Sequence, residues 1–370
     1  MTEATSMILA INCGSSSVKF AAYRGAEEVL VRGKIQHVSG AEVAQQIVGR
    51  LDKIGLLDSI KAVGHRIVHG GNRRTPVLIY DTVMAELEES RGMAPIHMTA
   101  ALDMVQSLRR ALPEAHHVAC FDTMFHADLP DLARTMPLPR YLTDKGIARY
   151  GFHGLSCTYL LRTFARRAGE RAASGKLIIA HLGSGASMTA VKGMKSIDTT
   201  MGFTPEAGLM MGTRPGDIDP GVFNYLMRTQ GFDLTQLERM MQSECGLVGV
   251  SGVSSDMGEL LEMAGKDARA RQAVDLFCYQ AQKFLCGLCG PLGGVDAVIF
   301  SGGIGENFPE IRAQICKGLG FLGISLDETS NTENAFEISR PSSSTRVYVI
   351  KTDEEAIIAE QTLAVVENLN

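Results

Sequence analysis

The sequence predicts an α/β protein made of two related domains. Short apolar segments typical of buried strands alternate along the 370 residues with segments of helical periodicity. Two of the strands end in similar glycine- and serine-rich turns, which begin at Gly14 and Gly183. Because the offset of 169 residues is close to half the chain, we favour an internal duplication. Chance similarity of two hairpins is the alternative.

The expected elements follow in chain order. A strand at 8–11, a turn at 12–17 and a returning strand at 18–23 open the first domain, and 177–180, 181–187 and 188–192 repeat this arrangement. The residue pattern predicts further strands at 63–68, 117–120, 295–300 and 347–350. It predicts helices at 41–54, 99–111, 154–168, 217–229, 267–288, 309–319 and 354–367. The polar stretch 327–344 is interpreted as a surface excursion.

Composition excludes several classes of protein. The formal net charge is −5, which argues against a nucleic-acid-binding protein, because a nucleic-acid-binding surface needs clustered cations. No apolar run reaches the roughly 18 residues of a membrane span, and the polar start with Glu3 does not resemble a signal peptide. Eight scattered cysteines favour reduced thiols, and the pair Cys286 and Cys289 favours helix packing over a metal site. We therefore expect a cytoplasmic protein without nucleic-acid or membrane partners.

Glycine-rich turns are the first candidate functional feature. The sequence lacks the GxxxxGK[ST] pattern of a P-loop. Three other such turns, at 12–17, 181–187 and 301–307, each follow an apolar strand. Glycine lets the backbone approach a ligand closely, and a helix start directs N–H groups toward a phosphate. Each turn alone could be structural, but the three together favour a nucleotide held between two domains.

Four charged or titratable residues lie beside turns. Arg66 ends a strand and Arg214 lies in a glycine-flanked loop, so either could bind a carboxylate or phosphate through its forked guanidinium. Asp122 follows a buried strand, and His153 lies between glycines. The structural alternatives are two surface arginines, a capping Asp and a structural His.

In combination these segments resemble the acetate kinase family. The matching motifs are INCGSSSVK at 11–19, YGFHG at 150–154, MMGTRPGDIDP at 210–220, SGVSSDM at 251–257, GGIGEN at 302–307 and TDEEAIIA at 352–359. They occur in family order and cover nearly the whole chain. The family is related to sugar kinases, Hsp70-type ATPases and actin. The resemblance implies two duplicated actin-like (ribonuclease H-like) domains with a nucleotide cleft between them, at 1–150 completed by the helix 352–370, and at 151–351.

The resemblance also implies an activity and its ligands. The reaction is Mg²⁺-dependent, reversible, in-line transfer of the ATP γ-phosphoryl group to acetate, giving acetyl phosphate and ADP. Asn12 and Glu354 would hold Mg²⁺, or alternatively Mn²⁺. Residues contacting the nucleotide phosphates would be Lys19, His181, Leu182, Gly183, Ser184, Gly185, Gly303, Ile304, Gly305, Glu306 and Asn307. Those near the adenosine would be Asp256, Met257 and Gly258. A homodimer is expected.

For the second substrate, the resemblance assigns the acyl carboxylate to Arg66. Asp122 would be the active-site acidic residue, and His153 and Arg214 would stabilise the transition state. The acyl methyl group would contact Val68, Ile96, Phe152 and Pro205, with His97 adjacent. Ser184 and Gly258 replace a family Asn and a common Arg, which leaves the nucleotide preference open. The alternatives are a propionate or butyrate kinase and a conformational ATPase of the Hsp70 or actin type.

Overall fold

A computed structural model describes residues 6–14, 17–36 and 39–369, except for the side chain of Ile96. The chain forms two compact units. Unit 1 comprises Met1–Ala127, Phe152–Tyr159 and Asp353–Asn370, and unit 2 comprises Asp128–Gly151 and Leu160–Thr352. In the described ranges, every helix is too short or too polar to span a bilayer. The domain bounds expected from the resemblance remain a prediction, because compact packing does not show which segments fold together.

Unit 1 is built on a six-stranded sheet. In chain order its strands are β1 (Met7–Cys13), β2 (Ser17–Arg24), β3 (Glu28–Gln36), β4 (Ile60–Ile67), β5 (Val77–Leu78) and β6 (His116–Phe121), arranged in the order β3-β2-β1-β4-β6-β5. The pairs β1–β2 and β2–β3 are antiparallel, whereas β1–β4 and β4–β6 are parallel. The short β5 pairs antiparallel with β6. The carboxyl ends of β1, β4 and β6 therefore lie at one edge of the sheet.

Unit 2 repeats this arrangement. Its strands are β7 (Lys176–Leu182), β8 (Ala186–Lys192), β9 (Lys195–Thr199), β10 (Ala297–Ser301) and β11 (Arg346–Val349), in the order β11-β10-β7-β8-β9. The pairs β7–β8 and β8–β9 are antiparallel, and β7–β10 and β10–β11 are parallel. The same strand order and directions in both sheets confirm that the two halves are related.

The two hairpins differ in length by one residue. In unit 1 the last paired residues are Cys13 and Val18, whereas in unit 2 they are Leu182 and Ala186. The second loop is therefore one residue shorter. The offset of 169 holds for the first strand of each hairpin. Extended through the turn, this offset would align Ser17 with Ala186, but the strand pairing makes Val18 the equivalent of Ala186.

Helices cover both sheets. Their bounds are α1 (Gly40–Lys53), α2 (Asp81–Glu89), α3 (Pro95–Ala111), α4 (Asp131–Arg134), α5 (Arg140–Thr143), α6 (Gly154–Ala168), α7 (Glu170–Ala173), α8 (Gly221–Thr229), α9 (Leu234–Arg239), α10 (Gly246–Ser251), α11 (Met257–Met263), α12 (Ala268–Leu292), α13 (Gly302–Asn307), α14 (Pro309–Cys316), α15 (Glu328–Thr332) and α16 (Glu354–Glu367). Short 3₁₀ turns occur at Leu57–Ser59, Ser90–Met93, Met124–His126 and Leu319–Leu322, and a π turn at Met240–Glu244.

The sheet of unit 1 has an apolar core on each face. Leu9 and Val63 pack in a cluster with Ile47 of α1 on one face. On the other face α16 lies across β1, β4 and β6. This helix approaches β4 so closely that a Cβ at Gly64 would lie 2.7 Å from the Cγ2 atom of Ile358. Glycine at this position thus allows α16 to place its first turn near the strand ends.

Three expectations need correction. The helix expected at 217–229 begins at Gly221, because Asp217 is bound instead to the amide of Gly208 through its carboxylate. The expected turn at 301–307 is the short helix α13 from Gly302 onward. The stretch 327–344 is more than a surface excursion, since it contains α15 and the fully buried Ile338.

Candidate active site

Three of the expected site residues lie at the carboxyl ends of neighbouring parallel strands. Asn12 is the penultimate residue of β1, Arg66 is the penultimate residue of β4, and Asp122 directly follows β6. The parallel pairing of these strands brings their ends to one edge of the sheet. In open α/β sheets such an edge is where ligands bind.

Arg66 and Asp122 form a buried ion pair. The Nε and Nη2 atoms of Arg66 donate to Asp122 Oδ2 over 3.0 and 2.5 Å, and Nη1 donates to the main-chain oxygen of Cys13 over 3.1 Å. The Asp122 side chain is fully buried and that of Arg66 is 12% exposed. Burial raises the pKa of Asp122, although Arg66 opposes the rise. Burial alone would lower the pKa of Arg66, but the charges of Asp122 and Glu354 and the hydrogen bond to Asp122 together raise it, so the guanidinium remains charged.

Asn12 connects this pair to the start of α16. Its Nδ2 donates to Glu354 Oε2 over 2.8 Å and to Glu355 Oε1 over 2.7 Å. Glu355 is buried, which raises its pKa, while the hydrogen bond from Asn12 and the charge of Lys19 lower it. Lys19 is directly opposite Asn12 in the β1–β2 pair. Sequence reasoning missed Glu355, although its position beside Glu354 in the motif was a usable signal.

These side chains fit a magnesium ion. Asn12 directs its amide nitrogen to the glutamates, and its Oδ1 accepts a hydrogen bond from Nη1 of Arg66 over 3.5 Å. An amide oxygen has two lone pairs, so Oδ1 can still offer one of them to a cation. Carboxylate and amide oxygens are the hard ligands that Mg²⁺ prefers, and Mg²⁺ often takes only one or two protein ligands beside water and phosphate. Glu354 is partly exposed while Glu355 is buried, so Glu354 is the more accessible of the two carboxylates.

His153 lies in an unusual backbone conformation beside Asp122. Its φ of 57° is in the left-handed region, which few residues other than glycine adopt. The amide of the next residue, Gly154, donates to the main-chain oxygen of Asp122 over 2.9 Å. The main-chain amide of His153 also lowers the pKa of the Asp122 carboxyl, in opposition to burial. The structure thus brings His153 to the Arg66–Asp122 pair.

The expected acyl-binding residues of unit 1 are only partly described. Val68 and Phe152 are buried, and the Phe152 ring packs edge-on against His69 with ring centroids 5.7 Å apart. His97 is half-buried in the first turn of α3. The side chain of Ile96 lies outside the described residues.

In unit 2, the expected phosphate-binding segments form a continuous surface of backbone. Ser301 of β10 pairs with His181 of β7, so the loop that follows Leu182 and the helix α13 begin side by side. Gly302 has a φ of 74°, and a Cβ there would lie 2.6 Å from the main-chain oxygen of Leu182. The amide of Gly212 donates to the main-chain oxygen of Ser184 over 3.0 Å. Gly302 therefore allows the loop and α13 to pack closely, and the next residue, Gly303, faces open space, since a Cβ there would meet nothing within 4 Å.

The helix α13 is held at both of its ends. Glu306 Oε1 accepts hydrogen bonds from the amide of Gly302 over 2.9 Å and from the amide of Thr352 over 3.0 Å. Arg312 is fully buried and donates to the main-chain oxygens of Gly305 and Glu306 over 2.8 and 3.1 Å. Burial lowers the pKa of Arg312 to about 10. Sequence reasoning missed Arg312, because its burial depends on tertiary packing.

The remaining expected residues of unit 2 belong to segments that contact the 181–185 loop or α13 and its following residue, since Gly212 contacts Ser184 and Ser255, and Gly258 contacts Phe308. Asp256 caps α11 by accepting a hydrogen bond from the amide of Glu259 over 3.1 Å. A Cβ at Gly258 would lie 3.2 Å from the Phe308 ring. Arg214 Nη1 donates to the main-chain oxygen of Pro205 over 2.5 Å, which joins the residue expected to stabilise the transition state to one expected at the acyl group. The site residues thus form two clusters, one within each unit.

Comparison with known proteins identifies the family. Residues 35–360 match the family described as the Acetokinase family. The chain belongs to this family. It is 42% identical to the acetate kinase of Nitrobacter hamburgensis, covering 96% of this chain and 95% of the relative. A propionate kinase structure from Francisella tularensis has a TM-score of 0.91 at 34% identity, covering 97% of this chain and 100% of that one.

A second solved structure is also similar to this chain along nearly its whole length. The acetate kinase of Porphyromonas gingivalis has a TM-score of 0.86 at 34% identity, covering 98% of this chain and all of that chain. The predicted α/β fold with two duplicated domains is confirmed. Family membership also confirms a kinase of the acetokinase type, with a carboxylate as phosphoryl acceptor and ATP as co-substrate.

Proposed function

We propose that this acetokinase transfers the γ-phosphoryl group of Mg-ATP directly and in line to acetate, giving acetyl phosphate and ADP, and that the reaction is reversible. A carboxylate is already ionised and nucleophilic at pH 7, so the acceptor needs no strong base. Phosphoryl transfer spreads charge over three equatorial oxygens, and catalysis consists mainly of positioning and electrostatic stabilisation. The residues of the two clusters are suited to those tasks.

Arg66 is the proposed ligand of the acetate carboxylate, and its buried pair with Asp122 is the observation that carries the proposal. The contacts with Asp122 and Cys13 fix the plane of the guanidinium, which stays charged. A planar guanidinium matches the geometry of a carboxylate. Asp122 would act by orienting Arg66 instead of removing a proton, because the acceptor has no proton to lose.

The phosphoryl group would be stabilised by groups from both clusters. Arg214 and His153 are proposed to meet the charge that develops on the transferred group. Lys19, the 181–185 loop and residues 303–307 of α13 are proposed to bind the nucleotide phosphates, and 256–258 the adenosine. Their support is Gly303 in the first turn of α13, where a Cβ would meet nothing within 4 Å, so the space in front of this backbone is open.

Magnesium is the proposed metal, with manganese as an alternative of the same ligand preference. Asn12 and Glu354 would hold it, and the buried Glu355 would orient Asn12 through the 2.7 Å hydrogen bond. When bound, the ion would neutralise charge on the phosphate oxygens. Loss of Glu354 should therefore raise the magnesium concentration required for activity.

Acetate is the proposed preferred acid, and propionate is the second candidate. Val68 and Phe152 are large and buried, which favours a small acyl group. The likeness to the Francisella propionate kinase supports the second candidate. One methylene group changes the binding free energy by only about 1–3 kcal/mol, so the two acids should differ in rate without exclusion of either.

Hydroxylamine trapping with acetate, propionate and butyrate in turn tests this assignment. The proposal expects acetyl hydroxamate to form with the highest kcat/KM. A maximum with propionate or butyrate would retain the mechanism and change the substrate. Hydrolysis of ATP without any hydroxamate would instead support the conformational ATPase.

Quaternary structure and location complete the proposal. We propose a homodimer, as the resemblance to the acetate kinase family implies. We propose a cytoplasmic location on the basis of the eight free cysteines. Light scattering tests the first proposal and cell fractionation the second. The domain bounds 1–150 with 352–370, and 151–351, are likewise proposed, and limited proteolysis tests them.

A further inference from the structure

The segment 152–154 holds a conformation that its own sequence does not favour. His153 has a φ of 57°, whereas most non-glycine residues avoid positive φ. Residues in such conformations persist when the surrounding structure holds them there. The contacts of Phe152 and Gly154, on either side of His153, are therefore informative.

Both neighbours are hydrogen-bonded to the turn that follows β6. The amide of Gly154 donates to the main-chain oxygen of Asp122 over 2.9 Å. The main-chain oxygen of Phe152 is 2.9 Å from Nε2 of His126. A carbonyl oxygen only accepts, so Nε2 carries the proton and donates. A Cβ at Gly154 would overlap the Asp122 oxygen, which shows how closely the two segments approach.

His126 is itself rigidly held. It is buried, with 1% of its surface exposed, at the end of the 3₁₀ turn Met124–His126. Its amide donates to the main-chain oxygen of Thr123 over 3.1 Å, and the hydroxyl of Thr123 accepts from the amide of Gly70 over 3.1 Å. Burial lowers the pKa of His126 to about 4, so the ring is neutral at physiological pH.

We propose that His126 is a positioning residue for the phosphoryl transfer, because its Nε2–H fixes the carbonyl of Phe152 and so orients both Phe152 and His153. This inference rests on the proposed function, in which Phe152 contacts the acyl group and His153 stabilises the transition state. It adds a residue that touches neither substrate. The hydrogen bond from His126 comes from a side chain, so a substitution can remove it.

Two substitutions of similar size separate the hydrogen bond from the packing. His126→Gln retains an N–H donor that reaches about as far as Nε2, whereas His126→Met fills the space without a donor. A small displacement of a catalytic group can cost about 100-fold in rate. We expect His126→Met to lower kcat/KM for acetate by about 10- to 100-fold and to change the acetate-to-propionate ratio. His126→Gln should restore most of the activity, and both variants should keep the wild-type KM for Mg-ATP.

A stability control excludes a purely structural effect. Leu51→Ala removes a fully buried side chain near the end of α1, beside the segment that leads into the amino end of β4, whereas the site lies at the carboxyl ends of the strands. It should lower the melting temperature at least as much as His126→Met while its kcat and KM for acetate remain those of the wild type. If His126→Met melts below the assay temperature, His126→Asn replaces it, because the shorter amide does not reach Phe152. Low activity of His126→Asn together with near-wild-type activity of His126→Gln then supports the inference.

Wild-type acetate kinetics in His126→Met, or equal losses in the Gln and Met variants, would overturn the role of His126. Failure of the proposed function has a different signature. In that case the wild-type protein forms no acetyl hydroxamate, or Arg66→Ala forms it at the wild-type rate, whatever the His126 variants do.

Discussion

Removing Arg66 should affect stability and catalysis in separable ways. In Arg66→Ala, Asp122 remains fully buried and loses the cation that faces it at 2.5 and 3.0 Å. Breaking a buried pair by removing one partner costs about 3–5 kcal/mol, because an uncompensated charge remains. For a unit of this size each kcal/mol shifts the melting temperature by about 2–4 °C. We therefore expect Arg66→Ala to melt about 6–20 °C below the wild type.

The double variant Arg66→Ala/Asp122→Asn decides whether this reasoning holds. Asparagine removes the uncompensated charge at nearly constant shape, so about half of the lost stability should return. Activity should not return, because acetate still lacks its ligand, and we expect both variants to lose about 10³-fold in kcat/KM. Differential scanning calorimetry and hydroxamate formation measure the two effects. A double variant that melts no higher than Arg66→Ala would refute the electrostatic account of the pair.

Four further substitutions probe other parts of the site and fold. Asp122→Asn should lower kcat by about 10- to 100-fold, since Arg66 loses its orienting carboxylate; near-normal kcat with an unchanged magnesium requirement in steady-state assays would show the role to be wrong. Val68→Ala should shift the acetate-to-propionate ratio of kcat/KM several-fold toward propionate, and an unchanged ratio would contradict the assignment of Val68 to the acyl pocket. Gly154→Ala should lose about 1–3 kcal/mol of stability and most of its activity, because the new Cβ overlaps the main-chain oxygen of Asp122. Gly49→Ala, whose Cβ meets nothing within 4 Å, is the matched control for the melting and activity assays. Equal behaviour of the two variants would count against the close approach of Gly154 to Asp122. His117→Gln should reduce the loss of folding stability in acid. Burial lowers the pKa of His117 to about 4 from an ordinary 6.5, so the unfolded chain binds a proton that the folded protein does not, and the free energy of unfolding falls as the pH drops from about 6.5 to about 4, by about 2 kcal/mol at pH 5. Identical melting curves of variant and wild type at pH 5 and pH 7.5 would argue against a neutral buried His117.

Much of the fold could be predicted from local patterns. The helices predicted at 154–168 and 354–367 match α6 and α16. α6 is amphipathic, and α16 begins at a strong local signal, since the Asp353 side chain accepts a hydrogen bond from the amide of Ala356. The edge strands β3 and β9 were missed, since their residues are mostly polar or half-exposed. The helix α12 continues to Leu292 beyond the predicted end at 288, with Pro291 in its last turn. Tertiary packing, which local patterns do not contain, decided these cases.

The site was predictable where chemistry is carried by motifs. Asn12, Arg66 and Asp122 come from separate segments, and their meeting at one sheet edge follows from parallel strand ends. Their partners were less accessible to sequence reasoning. The role of Glu355 depends on its contact with Asn12, and that of His126 on a bond to a residue 26 positions away. Such contacts are set by the packing of distant segments.

The central claim is that Arg66 and Arg214 carry phosphoryl transfer to acetate. The most direct test is hydroxylamine trapping of acetyl phosphate with Mg-ATP and acetate, using the wild type, Arg66→Ala and Arg214→Ala at equal folded concentrations. We predict acetyl hydroxamate from the wild type and a loss of about 10³-fold in each variant. Wild-type rates in both variants, or ATP hydrolysis by the wild type without any hydroxamate, would contradict the claim.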